Sequence, residues 1–468
     1  MADNAQQSAG DVRVEEVYIT SFKGESVDIT NFVIETILRE SIYSPCMFGE
    51  MVIADAVNLL AKVPIIGNDF ITIKMRTPIL EDSPGNVINK TFSIYSITDR
   101  RLDNDRQQFF TINFMSTEGF VDNVTRISQK FSGGTDQIAE QIYLDFIQQS
   151  RFVNTKGESK GTTPLTLLDT PHNSNNFEFV SNYWSPFKCM AYLARNSIGN
   201  EMKMPNVLFF ETNKGFYFGS ITSIIQEQKK AALLYDEYNY VSNLDESESK
   251  FPNRRTGRYN YTSPFISRKM TTVESVDYPL HFDQLKNQDS GYYGNVTYSY
   301  DYVNKDIYNI QFDYTDLHEA RRSQNKNVLP DSFNSFQHIS SQSPIVTQSM
   351  SNPYSKINFK AGASGLFGEN DAFDIKQVAA VSFRNTAMAE LDAVKFEIVV
   401  PGKTDIQVGK LIRFNFPNVG DKSTNPTYED LFDEQVSGIY LITGIRHTID
   451  PTGHKMILEI VRDSYGDE

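Results

Sequence analysis

Hydrophobic and polar residues alternate with period two in two separated blocks of the chain. In the first block Ile71, Ile73 and Met75 recur at every second position, and the second block repeats this alternation over 394–400 and 411–416. Such alternation is typical of strands buried on one face. The strands predicted in the first block are Val14–Phe22, Asp28–Glu40, Gly49–Ala54, Asp69–Arg76, Thr91–Thr98 and Phe109–Phe114.

Between these blocks the apolar spacing changes from two to three or four residues. It predicts a helix over Thr135–Ile147, capped by Thr135 or Asp136. A second helix is predicted to start after Ser185 as N-cap, with Pro186 at its first position, and to end at Gly199. In the first block, Asp55 is predicted to cap a short helix.

A β-hairpin and a polar segment follow the second helix. Two apolar runs flank Asn213-Lys214-Gly215, which predicts a turn between two strands. Residues 241–368 are rich in Tyr, Asn, Ser and Asp and poor in aliphatic residues, with strand-like stretches at Tyr292–Tyr302 and Ile307–Tyr314. The structure and role of this segment are left open by its sequence.

The second β block repeats the order of the first. The segments Glu50–Ile53, Asp69–Met75, Ile94–Thr98 and Phe110–Phe114 correspond to Glu397–Val400, Lys410–Phe416, Ile439–Thr443 and Met456–Ile460. Any two antiparallel β domains share some of this pattern, so chance similarity is the alternative. A true repeat would give three associated chains six similar β domains, which suits a protein that joins a sixfold partner to a threefold one.

The pattern predicts an α+β, mainly β fold with two similar antiparallel β-barrel or sandwich domains and an interleaved α/β insert. The predicted division is a flexible N-terminal tail (1–11), a first β domain (12–118), an insert (119–206 and 241–370) and a second β domain (207–240 and 371–465).

Composition narrows the function. The 468-residue chain carries a formal charge of −15, which disfavours binding to nucleic acid and to anionic membranes. An acidic wall past which DNA slides remains compatible with it. Aromatic residues make up 12%, which favours sheets. We find no signal peptide and no membrane-spanning apolar run, so synthesis in the cytoplasm is expected.

No catalytic, cofactor or metal site is predicted. Cys46 and Cys189 are expected to be free, buried thiols, and no zinc motif is present. His447 and His454 could hold a metal beside Asp450, but solvated turn residues are the favoured interpretation. Asp99, Asp103 and Asp105 are expected to lie in a polar hairpin. The glycine run Gly362, Gly365 and Gly368 is expected to have no phosphate-binding role. The basic clusters are expected to form salt bridges or subunit contacts: Arg254, Arg255, Arg258, Arg321 and Arg322.

Three features resemble the baseplate central hub proteins of T-even-type contractile-tailed phages. The first is Asn182–Arg195 followed by Val207–Phe218, similar to an S-P-F, L-A-R, F-F-x-E-T, G-F-x-F series. The second is Gly438–His447 with Leu458–Asp463, and the third is the order of the domains along roughly 12–465.

This resemblance implies a structural, non-enzymatic role in a virion, within a phage tail baseplate. Hub proteins form homotrimers whose two tube-like domains build a pseudo-sixfold ring. The implied partners are a trimeric spike protein, often lysozyme-containing, below the ring and a tail-tube initiator above it, with baseplate wedge proteins around it. DNA passes through the channel without specific binding, and no cofactor is implied.

Other functions stay open at this stage. The chain could be a tail-associated cell-wall hydrolase, or an adhesin that binds host glycans through the Tyr/Asn-rich segment. A hub of a related contractile injection machine would share the same plan. Because the chain stops soon after the second β block, we expect the spike to be a separate chain.

Overall fold

A computed structural model describes residues 8–148, 163–240, 266–313, 356–362, 383–418 and 432–463. Within these ranges, residues 23, 63–64, 68, 81–85, 105–106, 173–176, 201–204, 231–234, 267–268, 281–283, 304, 390 and 392–393 are not described.

The secondary structure is mostly β. The strands are β1 (Arg13–Thr20), β2 (Ser26–Asp28), β3 (Val33–Ser41), β4 (Phe48–Asp55), β5 (Phe70–Arg76), β6 (Val87–Asn104), β7 (Gln107–Ser116), β8 (Lys130–Gly133), β9 (Leu165–Leu167), β10 (Phe177–Val180), β11 (Val207–Thr212), β12 (Gly215–Ser220), β13 (Asp236–Asn239), β14 (Ser275–Leu280), β15 (Gly294–Asp301), β16 (Asp306–Asp313), β17 (Ile357–Gly362), β18 (Val394–Pro401), β19 (Leu411–Asn415), β20 (Gly438–Asp450) and β21 (Gly453–Arg462). The helices are α1 (Leu59–Lys62), α2 (Thr117–Val124), α3 (Thr135–Ile142), α4 (Pro186–Asn196), α5 (Ile221–Lys230) and α6 (Gln284–Ser290), with a π-helical turn at Tyr143–Ile147 and a further helical segment at 383–389. The predicted α+β, mainly β fold class is confirmed.

Most strands belong to one 13-stranded sheet that contains a similar six-stranded unit twice. The units differ in the direction of the sixth strand, since β1 is antiparallel to β5 whereas β13 is parallel to β19. The N-terminal repeat has the order β3-β4-β7-β6-β5-β1, and the C-terminal repeat has the order β14-β18-β21-β20-β19-β13. In chain order, β4, β5, β6 and β7 correspond to β18, β19, β20 and β21. In each series the first strand pairs with the fourth, the fourth with the third, and the third with the second. The internal repeat predicted from the sequence is therefore present as a repeated strand order.

A β-bulge lies at the same point of each repeat and fixes their alignment. The register of β6 with β7 shifts after Ile94, and the register of β20 with β21 shifts after Ile442. Ile94 lies opposite Phe114, and Ile442 lies opposite Ile460. Because Phe114 and Ile460 lie at the same position near the ends of the matching strands β7 and β21, Ile94 and Ile442 are equivalent positions. Three of the four predicted segment matches have this register, but the match of Ile94 with Ile439 was three residues out. The shared I-Y-x-I-T letters misled the alignment, because strand pairing and not local identity sets the register.

The two repeats are joined edge to edge. Strand β3 pairs antiparallel with the second half of β20, from Ser41 opposite Gly444 to Thr36 opposite Ile449. The first half of β20 pairs with β19 on the same side. One long strand thus serves both repeats, and the sheet continues from one to the other without an open edge.

Each repeat has its own core. Met51, Phe92 and Phe114 belong to the buried cluster of the N-terminal repeat, whereas Phe396 and Tyr440 belong to that of the C-terminal repeat. The equivalent pairs differ in size: Gly49 and Phe114 occupy the positions that Phe396 and Ile460 fill in the second repeat. Volume lost at one position is recovered at its neighbour, as close packing requires.

A third core lies in the segment between the repeats. Helices α3 and α4 pack there with the β8–β10 pair and one face of the β11–β12 hairpin. The predicted turn at Asn213-Lys214-Gly215 is confirmed. The hairpin pairs with β9 in a separate three-stranded sheet: Phe209 and Phe216 enter the third core, while Phe210 enters the core of the C-terminal repeat.

The predicted helices are confirmed, with corrections at their ends. The Ser185 hydroxyl accepts a hydrogen bond from the Lys188 amide, as an N-cap should, but α4 ends at Asn196 and not at Gly199. Helix α3 is capped by Gly134, not by Thr135 or Asp136. The N-cap is the residue before the first helical residue, and because Thr135 is already helical, the N-cap is Gly134.

Three further predictions concern the first block and the polar segment. Asp55 is the last residue of β4 and accepts hydrogen bonds from the Val57 and Leu59 amides, but α1 begins only at Leu59, so the prediction of Asp55 as its N-cap was wrong. A three-residue 3-10 turn at Thr30–Phe32 interrupts the single strand predicted over Asp28–Glu40. In the polar segment, β15 and β16 confirm both strand-like stretches.

Gly49 tests the volume exchange between repeats. A Cβ added at Gly49 would lie 2.3 Å from the Phe114 ring, whereas one added at Gly444 would meet its nearest atom at 3.4 Å. We expect Gly49→Ala to lower the free energy of unfolding by about 1–3 kcal/mol, because the core would be overpacked. Urea unfolding followed by fluorescence measures this. Gly444→Ala is the matched control, and a loss as large as that of Gly49→Ala would contradict the explanation.

Candidate functional site

The most distinctive polar site is buried where the two repeats meet the β11–β12 hairpin. We call it the polar junction, defined by Glu40 of β3, Lys90 of β6 and Glu211 of β11. The Lys90 ammonium donates to the Glu211 carboxylate, and both side chains are buried, at 8% and 0% exposure. A buried ion pair needs further hydrogen bonds to offset desolvation of both charges.

Those hydrogen bonds come from the N-terminal repeat. Glu211 Oε2 accepts from the Met47 backbone amide at 2.8 Å and from the Ser116 hydroxyl at 2.5 Å. Lys90 also lies 3.5 Å from the Thr212 carbonyl oxygen. The negative charges of Glu211, Glu118 and Glu40 raise the pKa of Lys90 against the opposing effect of burial. Lys90 is therefore a permanent cation inside the protein.

Glu40 lies between this ion pair and the C-terminal repeat. Burial raises the pKa of Glu40 to about 7, and the negative charge of Glu211 adds to the shift. The Lys90 ammonium and the backbone amides of Val408 and Asn213 act in the opposite direction. Groups from both repeats and from the hairpin turn thus surround a single carboxyl group.

A second buried polar pair lies at the turn of the β20–β21 hairpin. His447 Nδ1 and His454 Nε2 are 3.0 Å apart, and both rings are buried. The prediction that these are solvated turn residues was wrong, because the hairpin tip is covered by other parts of the chain. Burial lowers the pKa of His447 to about 4 and that of His454 well below its usual value. Both rings are neutral at pH 7.

Two chain segments cover this tip. The Gly10 carbonyl accepts a hydrogen bond from the His454 amide, and the His454 carbonyl accepts one from the Gly402 amide, both at 2.7 Å. The described part of the predicted flexible tail, residues 8–11, is therefore held against the C-terminal repeat. In the N-terminal repeat, Gln108 and Asp55 occupy the positions of His454 and Gly402. There the side-chain amide of Gln108 donates a hydrogen bond to the Asp55 carboxylate.

The solvent face of the large sheet carries paired charges. Arg39 with Glu50 at 2.6 Å and Lys395 with Glu459 at 2.8 Å link neighbouring strands, and Lys455 of β21 reaches Glu274, just before β14, at 2.8 Å. These pairs occur in both repeats.

The remaining sequence candidates form no chemical centre in the described residues. Asp99 and Asp103 are exposed on the β6–β7 hairpin, as predicted, and Cys46 and Cys189 are free and buried. No group of three or more His, Cys, Asp or Glu able to hold a metal occurs in the described part of the chain. No described helix is long and apolar enough to cross a membrane. Outside the described residues lie Asp105, Gly365, Gly368, Arg254, Arg255, Arg258, Arg321 and Arg322.

The polar junction could not be identified from the sequence. Glu211 was visible in the F-F-E-T stretch at 209–212, and Lys90 as one residue of a strand, but nothing relates them across 121 positions. The one usable signal is an acidic residue in an otherwise apolar strand, since such a residue needs a partner when buried.

Comparison with known proteins finds similarity in structure only. No family model and no curated protein sequence matches the chain. The tail protein from Neisseria meningitidis MC58 is similar with a TM-score of 0.51 at 8% identity, covering 96% of each chain. The 43 kDa tail protein of prophage MuSo2 from Shewanella oneidensis is similar with a TM-score of 0.50 at 8% identity, covering 96% of this chain and 98% of that one. The chain therefore has the fold of these two tail proteins over almost its whole length.

Removing Glu211 tests the ion pair of the polar junction. We expect Glu211→Ala to lower the free energy of unfolding by about 3–5 kcal/mol, because it leaves the buried Lys90 charge without a partner. Glu50→Ala, which breaks the exposed Arg39–Glu50 pair, is the control and should cost about 1 kcal/mol or less. Urea unfolding of both variants measures the difference. Similar losses would show that the junction is no more important than a surface pair.

Glu40 should make stability depend on pH. Its pKa is raised from 4.5 to about 7, so its contribution is fully present below pH 4.5 and is lost as the pH rises through 7. Glu40→Gln mimics the protonated form and should gain stability relative to the native protein between pH 5 and pH 8, by up to about 3 kcal/mol. Urea unfolding at both pH values measures the gain. Glu50→Gln is the exposed control, and an equal effect there would refute the assignment.

Proposed function

We propose that this protein is a structural component of a contractile phage tail, the baseplate hub that joins the sixfold tail tube to a threefold spike. In this proposal three copies form a ring, with the tube initiator on one side and the spike on the other. Wedge proteins contact the outside of the ring, and DNA passes through its centre.

The observation that carries the proposal is the pair of structural repeats. Each chain holds two six-stranded units with the same strand order and an equivalent bulge, joined into one sheet by β3 and β20. Three copies supply six such units. A ring of this kind offers a nearly sixfold surface to the tube while its true symmetry remains threefold, as a trimeric spike requires.

The fold comparison supports a tail role. Both similar structures described above are tail proteins, and their likeness covers both repeats and the region between them. The buried polar junction also suits an adapter under force, because it joins the N-terminal repeat firmly to the hairpin.

The charges on the large sheet are compatible with a wall that DNA passes. Binding to DNA is driven mainly by Lys and Arg side chains that neutralise phosphates. Here Arg39, Lys395 and Lys455 are already paired with carboxylates. With the overall charge of −15, this leaves little attraction for the DNA backbone.

Neither alternative function has a supporting site among the described residues. A cell-wall hydrolase needs carboxylates or a nucleophile converging in a cleft, and the polar junction of the described structure is closed to substrate. A glycan-binding adhesin would act through the Tyr/Asn-rich segment. A hub of a related injection machine shares the proposed ring and differs in its partners.

The mass of the purified protein in solution tests the ring. Light scattering after size-exclusion chromatography should give about 160 kDa, three times the chain mass of 53.3 kDa. Negative-stain images should then show a ring with six similar lobes. A monomer at every concentration would contradict the proposal, and turnover of peptidoglycan or retention on a glycan array would favour one of the alternatives.

A further inference from the structure

We infer that residues 275–277 of strand β14 in one copy pair with residues 101–103 of β6 in the next copy, and that this pairing closes the ring. The inference rests on the proposed trimer and adds the surfaces that form it. Its basis is the joint between the two repeats within one chain, which supplies a template for the joint between chains.

The template is the pairing of β3 with β20. In the C-terminal repeat, β20 is the strand whose second half accepts β3 of the other repeat. By strand order, β6 is its equivalent in the N-terminal repeat, and β14 is the equivalent of β3. A ring of alternating repeats must use one kind of joint throughout if the repeats are nearly equivalent. The joint between chains should therefore join β14 to β6.

Both strands have the required edge available. Residues Val87–Ser93 of β6 pair with β5, but from Ser96 onward β6 pairs only with β7 among the described residues. Strand β14 pairs with β18 and ends the described sheet on its other side. An open edge of this kind is a site for pairing with another chain.

Equivalent positions give the register of the proposed joint. Val276 lies opposite Ile398 as Thr36 lies opposite Met51, so Val276 is the counterpart of Thr36. Thr36 pairs with Ile449.

The partner strand is aligned in the same way. Ile449 lies opposite His454, and Leu102 lies opposite Gln108, which occupies the position equivalent to His454. The proposed joint therefore places Val276 opposite Leu102 and Asp277 opposite Arg101.

The side chains at these positions are complementary. Leu102 is 79% exposed in the single chain, which is unusual for a leucine in a strand and is explained if Val276 of a neighbour covers it. Asp277 and Arg101, both exposed, have opposite charges, and opposite charges directly across a strand pair are stabilising. Pro279 lacks an amide donor and lies after the residues that pair, so it limits the joint without preventing it.

The joint can be tested by cross-linking. Directly opposite residues have Cβ atoms about 4.5–5.5 Å apart, close to the reach of a disulfide. In a chain carrying both Val276→Cys and Leu102→Cys, oxidation with diamide should link copies into a closed covalent trimer on a non-reducing gel. Cys46 and Cys189 are buried, so the native protein should give little background.

Two controls determine the register and the charge contribution. Val276→Cys with Arg101→Cys places the thiols on opposite faces of the proposed joint and should link poorly. Asp277→Arg or Arg101→Asp alone should raise the concentration at which half of the trimer dissociates by about threefold or more, from a charge pair of up to about 1 kcal/mol. The double exchange, Asp277→Arg with Arg101→Asp, should restore it.

The outcomes distinguish this joint from the trimer itself. One outcome would overturn the joint and leave the proposed function standing. In it, the native protein is a trimer, but the variant with cysteines at 102 and 276 does not cross-link and the charge changes do not weaken the trimer. A native protein that is monomeric at every concentration would overturn both. The joint would be supported if covalent trimers form with cysteines at 276 and 102 but not at 276 and 101, and if the double charge exchange restores the trimer.

Discussion

The pairing of β3 with β20 is the constraint on which the rest of the structure depends. A half-sheet that ends in an open edge leaves a row of unpaired backbone groups, and β20 avoids this by pairing with β19 along its first half and with β3 along its second. The two repeats are consequently held at a fixed register. Their cores can differ in sequence because backbone pairing between β3 and β20 joins them.

The polar junction supports this joint from one side of the sheet. Lys90 and Glu211 are buried, and such a pair is weak evidence for stability, since a well-packed apolar replacement can be as stable. Its hydrogen bonds are directional, however, and they reach the N-terminal repeat through Met47 and Ser116. We interpret the junction as a device that fixes how the hairpin docks, with Glu40 extending it toward the C-terminal repeat.

Divergence between the repeats follows the same logic as divergence between this chain and its structural neighbours. At 8% identity, what is shared with the two tail proteins is strand order and not side-chain identity. Within the chain, Gly49 and Phe114 exchange volume with Phe396 and Ile460 at equivalent sites. The repeats also differ near the ends of their long hairpins: residues 8–11 cover the turn of β20–β21, whereas residues 99–103 of β6 are exposed.

The sequence by itself determined the local elements, since the alternation of apolar residues, the cap at Ser185 and the turn at Asn213-Lys214-Gly215 depend on neighbouring positions. It also indicated the repeat, because equivalent strands keep the same buried face. Tertiary structure alone decided the register of the repeats, the burial of His447 and His454, and the meeting of Lys90 with Glu211. These depend on contacts between residues far apart in the chain, and periodicity carries no information about which distant strands pair.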